Sequence, residues 1–486
     1  MRQEAPLSEK ARIRIHLGLR DLRAAIKTAI AAWEAHESLD PRERARLAKL
    51  SRRGPGAHRR WTAGVSQAQR LLGHCAHWVR AHTYQRARVS GEFRDERTSR
   101  DIAVTINEGA SRQTAYNILL PHLEFGSVFG GAATAIKLGV ELARRGRRVR
   151  LIGTDSALSP GQNGAFDGYL ARLCADPRDL RDRIELCDAS TQGGQKDIYV
   201  GSQDVFVATA WWTALLVDRC LRSRPFSRQQ FIYLIQDFEP GFYPWSVEYA
   251  LAESSYRLPG YHAVFNTTFL ESHFREGGYV GNRETSVIRP EVDFQRFFPP
   301  EPAKMSRKRT RILLYGRPSV SRNLFPFIVA SVDEWIRTSG VTSKEVEILS
   351  AGERHGDILC PNGISIRSVG LVDYSAYPDF LRECDIGVSL MLSPHPSYPP
   401  LEMAASGMVT ITNSYGTKNL AEVSSNFVVC EPDPGSIAKA LEESVRRVPR
   451  HSDRVQGGRL KIPPSLTLGE LADRLVTIAR RPEAHS

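Results

Sequence analysis

The chain contains no run of about 18 uninterrupted apolar residues, so a membrane-spanning helix is not expected. Its first residues are polar and basic and carry no apolar signal core, which points away from secretion and towards the cytoplasm. Cysteine is sparse. The seven are Cys75, Cys174, Cys187, Cys220, Cys360, Cys384 and Cys430; none forms a CxxC pair, and their spacing suits neither a zinc site nor a disulfide framework. Reduced thiols are the expectation. No Asp-x-Asp pair stands at a suitable strand end, so no metal is expected at the site. The Gly-rich turn at 125–131 reads FGSVFGG rather than GxGxxG, which weighs against a dinucleotide-dependent oxidoreductase.

What is present reads as a soluble, globular chain. Its 486 residues are 41% hydrophobic and 25% charged, enough for two or three domains with their own cores. The net charge of +12 is concentrated at one end. Residues 1–100 hold 22 Lys and Arg against 10 Asp and Glu, whereas the other 386 residues hold 44 of each. Within that basic segment Leu19, Leu22, Ile26, Ile30 and Trp33 recur at helical spacing, with Arg12, Arg20, Arg23 and Lys27 on other faces. Asp40-Pro41 looks like a helix start, and a further helical stretch is expected over 63–83. Such a segment is either a solvated arm packing on a neighbouring domain or second copy, or a peripheral membrane contact. Nucleic-acid binding is not expected, because no aromatic platform or known motif accompanies the charge.

From about residue 101 strand-like and helix-like runs alternate, the signature of parallel sheets with crossover helices. YNILLPHLE (116–124) reads as a first strand, a helix follows the Gly-rich turn and ends at Arg145-Gly146, and RRVRLIGTD (147–155) is a second strand. DVFVATAWWTALLV (204–217), FIYLIQDFEP (231–240) and YHAVFNTTFL (261–270) continue the series. The pattern restarts at RTRILLYGRP (309–318), followed by VEILSAGE (346–353), SIRSVGL (365–371), DIGVSLML (385–392) and MVTIT (408–412). A Pro- and charge-rich linker separates the halves at 289–308. The expected architecture is α/β: a basic, mainly helical segment (1–100), a Rossmann-like domain (101–300), a second Rossmann-like domain (301–450) and a helical tail packing back (451–486). The two Rossmann-like domains would face each other across a cleft, the arrangement called GT-B.

The stretch SPHPSYPPLEMAASGMVTITNSYGTKNL (393–420) sets Glu402 between a Pro-rich loop and a helix-like run that ends at Gly407. A loop and helix N-terminus can offer N–H groups to a diphosphate, and a carboxylate can accept hydrogen bonds from ribose hydroxyls. This is the local chemistry of nucleotide-sugar binding. A second stretch, QDFEPGFYP, places Asp237 and Glu239 at a strand end, followed by Phe242, Tyr243 and Trp245. Carboxylates beside aromatic rings suit sugars, whose hydroxyls need acceptors and whose C–H faces need apolar surface. A capping or turn role for the two carboxylates is the other reading.

Together FGSVFGGAATAIKLGVELARRG, YLIQDFEPGFYPWSVEYALAESSY, LLYGRPSVSRNLF, SAGE and SPHPSYPPLEMAASG resemble the WsaF-like rhamnosyltransferases, GT-B enzymes allied to the retaining glycosyltransferase family 4. The resemblance covers roughly residues 110–445 and leaves the first hundred unexplained. It implies dTDP-L-rhamnose as donor, held mainly by the C-terminal domain, a glycan or lipid-linked glycan as acceptor, and no further cofactor. It implies that Arg317 and Arg322 face the diphosphate and offset the charge growing on the leaving nucleotide. Glu402 would hold the ribose, with Ser397 and Tyr398 contacting phosphate or sugar. Gly370 and Leu371 would hold the base, with Gly352 and Glu353 lining the pocket and Asn413 and Lys418 as further donors. Gly130 and Gly131 would let the backbone approach the diphosphate, unless they serve helix–sheet packing. Asp237 or Glu239 would orient the acceptor hydroxyl beside Phe242, Tyr243 and Trp245. One departure stands out: family 4 enzymes often carry a Glu-x7-Glu pair, and the residue eight before Glu402 is Pro394. The implied activity is transfer of rhamnose to a growing bacterial surface glycan; the rival reading is a non-catalytic nucleotide-sugar or glycan-binding component of the same machinery.

Overall fold

The structure is a computed structural model that describes residues 101–107, 113–125, 130–174, 177–190 and 197–480. The helices expected within 1–100, and the membrane contact expected through them, lie outside the described residues.

The first half supplies strands β1 (Val104–Ile106), β2 (Ala115–Leu120), β3 (Arg148–Gly153), β4 (Ile184–Asp188), β5 (Ile198–Val200), β6 (Val205–Ala208), β7 (Phe231–Ile235), β8 (Tyr261–Phe265) and β9 (Thr285–Val287). Seven of them form one sheet in the order β4-β3-β2-β6-β7-β8-β9, parallel throughout. A parallel sheet is covered on both faces, and the near-continuous apolar runs of β2, β6 and β7 follow from that. β1 and β5 make a separate two-stranded parallel ladder. At the foot of the large sheet, buried Arg150 donates to Asp204 (2.9 Å) and Asn117 (3.0 Å), and Asp204 accepts the Ala115 N–H. This paired network satisfies the polar groups among the apolar runs.

Two expected strands are shorter than their apolar runs. The run 204–217 leaves the sheet after Ala208 and becomes the helix Trp211–Ser223. Thr213 Oγ1 accepts the N–H groups of Thr209 and Ala210 at 2.9 Å each, which turns the chain at that point. Likewise 261–270 becomes helical at Thr268, where the Thr267 side chain accepts the Leu270 N–H. β1, β4, β5 and β9 come from stretches not read as strands.

The second half supplies β10 (Thr310–Gly316), β11 (Val346–Gly352), β12 (Ile358–Leu359), β13 (Ser365–Gly370), β14 (Ile386–Val388), β15 (Val409–Asn413) and β16 (Phe427–Cys430). Their order is β12-β13-β11-β10-β14-β15-β16, parallel except for the short edge strand β12. The helices Phe325–Ser339 and Pro434–Arg447 cover one face, burying Ile328, Val332, Trp335, Ile336, Ile437 and Leu441. β14 stops at Val388, so the second part of DIGVSLML is loop rather than strand.

In both sheets the strand order reverses beside the first strand: between β2 and β6, and between β10 and β14. Crevices at such reversals, beyond the carboxyl ends of the strands, are where open α/β sheets bind ligands. The last helix, Leu468–Arg480, returns to the first sheet. It buries Leu468, Leu471, Ala472 and Leu475 against the helix Gly130–Arg144, and Arg145 Nε reaches Asp473 at 2.6 Å.

Candidate active site

Glycine decides the geometry beyond β10 and β11. A Cβ on Gly316 would sit 1.9 Å from Ser350 Oγ, and one on Gly352 (φ +137°) would sit 2.4 Å from the Gly316 carbonyl oxygen. Their absence lets Glu353 N–H donate to that carbonyl at 2.7 Å. The Glu353 carboxylate then accepts the Ser319 N–H (2.9 Å) and hydroxyl (2.5 Å), with Arg317 Nε 3.5 Å away. These donors hold the Glu353 carboxyl below the ordinary carboxylate range. Glu353 thus organises the turn that carries Arg317 and Arg322. Arg317 remains partly exposed, and the Arg322 guanidinium lies over the Phe242 ring at 4.3 Å. Among the described residues, Arg322 Nε is buried with no hydrogen-bond partner.

The loop after β14 is fastened by the neighbouring strand. Met391 donates its N–H to Asn413 Oδ1 (2.7 Å), and its carbonyl accepts from Asn413 Nδ2 (3.1 Å) and Lys418 Nζ (2.8 Å). Asn413 and Lys418, expected to face the donor, therefore give these polar atoms to the backbone N–H and carbonyl of Met391. Both are buried, and burial pulls Lys418 down to about 7 against the opposing pull of Asp237. Next along the loop, Ser393 Oγ donates to Asp237 Oδ1 across the cleft and accepts the His395 N–H at 2.9 Å. His395 Nδ1 accepts the Ser397 N–H at 3.0 Å, so a neutral ring carries its proton on Nε2. Burial pushes His395 down to about 4.

The helix Tyr398–Ala405 begins here, with Ser397 at φ 68°. Its N-terminus is a poorer anion site than its place in the motif suggests. Pro399 and Pro400 carry no N–H, so Tyr398 and Leu401 alone retain one in the first turn. Glu402 is half-buried on this helix. Burial raises its carboxyl to about 7, opposed by the charge of Arg296. Tyr398 packs beside Thr134 and Glu291, and burial raises its hydroxyl. Gly370 ends β13 in a left-handed turn (φ +72°), and Leu371 after it is 84% exposed.

On the facing sheet Gly130 opens its helix at φ +56°. A Cβ on Gly131 would come within 2.6 Å of Gln236 Oε1, so its lack of a side chain serves helix–sheet contact. Gln236 Oε1 and Asn266 Oδ1 are buried acceptors without partners among the described residues. Asp237 and Glu239 follow β7 with different surroundings. Asp237 Oδ1 accepts its neighbour's N–H (Phe238, 2.8 Å) and the Ser393 hydroxyl. Glu239 is turned inward: it accepts the Trp211 N–H at the head of the helix Trp211–Ser223 (2.7 Å), and burial pushes its carboxyl up to about 8. The structure gives Glu239 the capping role and leaves Asp237 at the cleft. Phe242 sits beneath Arg322, and Tyr243 accepts the Trp211 indole N–H at 3.1 Å. Trp245 is 93% exposed and stacked on Tyr249 at 5.5 Å.

The cleft thus gathers Asp237, Phe242, Arg322, Ser393, His395 and Lys418, with Arg317, Glu353, Gly370 and Glu402 at the carboxyl ends of the second sheet. Ser393 and His395 carry no role in the sequence reading, although both stand inside the motif SPHPSYPPLEM. Their adjacency to Asp237 arises only when two loops 156 residues apart meet. No group of three or more His, Cys, Asp or Glu positioned to hold a metal occurs among the described residues. Nor is any helix among them long and apolar enough to cross a membrane.

Comparison with known proteins agrees with this architecture. Residues 115–268 match the family model "WsaF, N-terminal domain" and residues 310–442 match "WsaF, C-terminal domain". The O-antigen biosynthesis protein RfbC of Myxococcus xanthus is 32% identical over 249 residues, which is 50% of this chain and 18% of that protein. The match therefore spans about a fifth of that relative's length. Sucrose-phosphate synthase from Thermosynechococcus elongatus superposes with a TM-score of 0.52 at 11% identity, over 76% of this chain and 98% of that one. Anabaena HepE, solved in complex with UDP-glucose, gives 0.51 at 11% identity, over 75% and 100%. At that identity the likeness concerns the fold, which is GT-B. With both of its domain models matched in order across the two halves, the chain belongs to the WsaF family.

Proposed function

We propose that this protein is a glycosyltransferase that carries a sugar from a nucleotide donor on its second lobe to a glycan acceptor on its first, during assembly of a bacterial surface glycan. The observation that carries the reading is the meeting of the two crevices: Arg322 from one lobe, its Nε without a hydrogen-bond partner among the described residues, stands over Phe242 on the loop that also carries Asp237 in the other. Cations at the carboxyl end of β10 suit a departing diphosphate, and a carboxylate with aromatic rings opposite suits a sugar hydroxyl. The family and the O-antigen relative support the surface-glycan assignment.

The donor in this proposal is dTDP-L-rhamnose, with Glu402 on the ribose and Arg317 and Arg322 on the diphosphate; rhamnose rests on the WsaF resemblance. Transfer is front-face with retention. The C1–oxygen bond to the diphosphate breaks with its electron pair leaving on the diphosphate. The acceptor oxygen bonds C1, and its proton passes to a phosphate oxygen of the leaving group. Arg317 and Arg322 supply the positive charge, so the reaction needs no metal. The proposal includes a cytoplasmic location, with peripheral contact at the inner membrane face through residues 1–100, on the strength of their 22-to-10 excess of basic side chains.

Calorimetric titration of the full chain with dTDP, UDP, GDP and dTDP-L-rhamnose, without added metal, tests the reading. Selective binding of dTDP and dTDP-L-rhamnose that disappears in Arg322→Ala supports it. Preference for another nucleotide keeps the transferase and discards rhamnose. Donor binding without turnover on any acceptor identifies a non-catalytic binding component, and no binding at all overturns the assignment.

A further inference from the structure

We propose that Ser393 is a positioning residue: reaching across the cleft, it occupies one oxygen of Asp237 and leaves the other to receive a hydroxyl of the acceptor sugar beside the attacking one, whose own proton stays free for the leaving phosphate. The inference rests on the transferase reading above. Three observations carry it. First, Asp237 Oδ1 is filled by the Ser393 hydroxyl and the Phe238 N–H, whereas Oδ2 accepts no hydrogen bond among the described residues. A carboxylate held by one oxygen presents the other in a fixed direction, and that second oxygen is an acceptor with no competing donor.

Second, Ser393 has its own orientation fixed. Its hydroxyl oxygen accepts the His395 N–H at 2.9 Å, so its proton is directed to Asp237. Third, the loop bearing it is pinned at its root. Met391 is held at both its N–H and its carbonyl by Asn413, with Lys418 adding a 2.8 Å bond to the same carbonyl. Asn323 Nδ2 reaches the preceding carbonyl, Leu390 O, at 3.3 Å. Asn323 follows Arg322 directly, so the cation expected on the diphosphate and the serine that orients Asp237 share one braced unit. The second lobe thereby sets the direction of a group belonging to the first. Asp237 becomes competent only where the lobes meet, and the acceptor is oriented only in the closed cleft.

The test is a double-mutant cycle in steady-state turnover, run on the full chain with the donor that the wild type uses. Ser393→Ala is expected to lower kcat about ten- to a hundredfold while donor KM and the calorimetric donor Kd stay at wild-type values. Ser393→Thr, which keeps the hydroxyl, should recover most of the loss. In an Asp237→Asn background, Ser393→Ala should have little further effect, because the group it orients has changed. Unchanged kcat in Ser393→Ala, or an equal loss in the Asp237→Asn background, overturns the proposal while leaving the transferase reading intact. A wild type that turns over no donor overturns the transferase reading and this proposal with it. Melting and donor titration check each variant's fold. Should Ser393→Ala not fold, Ser393→Cys, of similar shape but a weak donor, is read in the same cycle.

Discussion

The two sheets share a plan and differ in what they place at their carboxyl ends. Around the reversal of the first sheet stand a carboxylate, a buried acid and aromatic rings: Asp237, Glu239, Phe242 and Tyr243. Around that of the second stand Arg317 and Arg322. The difference teaches a division of chemical labour on one topology. One lobe offers acceptors and apolar rings, which is what a sugar alcohol needs. The other offers arginine cations and the carboxylate of Glu402, a set that suits a nucleotide diphosphate. Charge type at the strand ends, rather than strand order, distinguishes the lobes.

The comparison can be broken most severely at Arg322. Arg322→Ala should reduce turnover by about 100- to 1000-fold with an unchanged melting temperature; near-normal turnover would remove the cationic half of the contrast. A stability probe comes next. Leu475, fully buried against the first lobe, should cost about 2–5 kcal/mol when replaced by Ala. Hydrogen exchange should show the loss in β2 and β3 and spare β10 and β11; a uniform loss would mean that the lobes do not have separate cores. Glu402 sharpens the donor side. Because burial raises it to about 7, the ionised form that would accept the ribose hydroxyls of the proposed donor is present above that value. Donor affinity measured by calorimetry should therefore strengthen as pH rises through about 7. Glu402→Gln should weaken it about tenfold and flatten the pH dependence. The smallest effect belongs to Glu239. Its folded value, about 8, lies above the unfolded range, so its contribution to stability is complete at low pH and is lost as pH rises through about 8. Glu239→Gln, which can still accept the Trp211 N–H, should gain melting temperature relative to wild type on the alkaline side and not at acid pH. A constant offset would show that Glu239 does not titrate there.

Much of the fold was legible because buried parallel strands write themselves as apolar runs between helices; YNILL, RILLYG and VEILSAG are of this kind. The run ATAWWTALLV reads as strand but is mostly helix, since bulky aromatic and aliphatic residues fit a sheet as well as a buried helix, and the turn at Thr213 depends on one side chain. β4 is interrupted by Glu185 and Asp188 and β5 is only three residues long, which hides them. At the site, arginines after a strand and an acid on a following helix could be named from pattern. The pattern also points to Lys418 and Asn413, but it carries no sign of their bonds to the Met391 backbone. The Ser393–Asp237 contact had no local signal at all.

The closing helix carries a consequence for how the molecule comes into being. Leu468–Arg480 follows the second lobe in sequence, yet its apolar side belongs to the first, and Leu466 N–H joins Val287 O at 2.9 Å, extending the edge beyond β9. During translation the first lobe therefore leaves the ribosome with the face of the helix Gly130–Arg144 bare, including Leu138 and Leu142. That face stays uncovered until residues 468–480 are made, after the whole of the second lobe. Of the two lobes, the one made first is completed after the other, and a ribosome stalled before Thr467 would release a chain whose second lobe can complete its core while the first cannot.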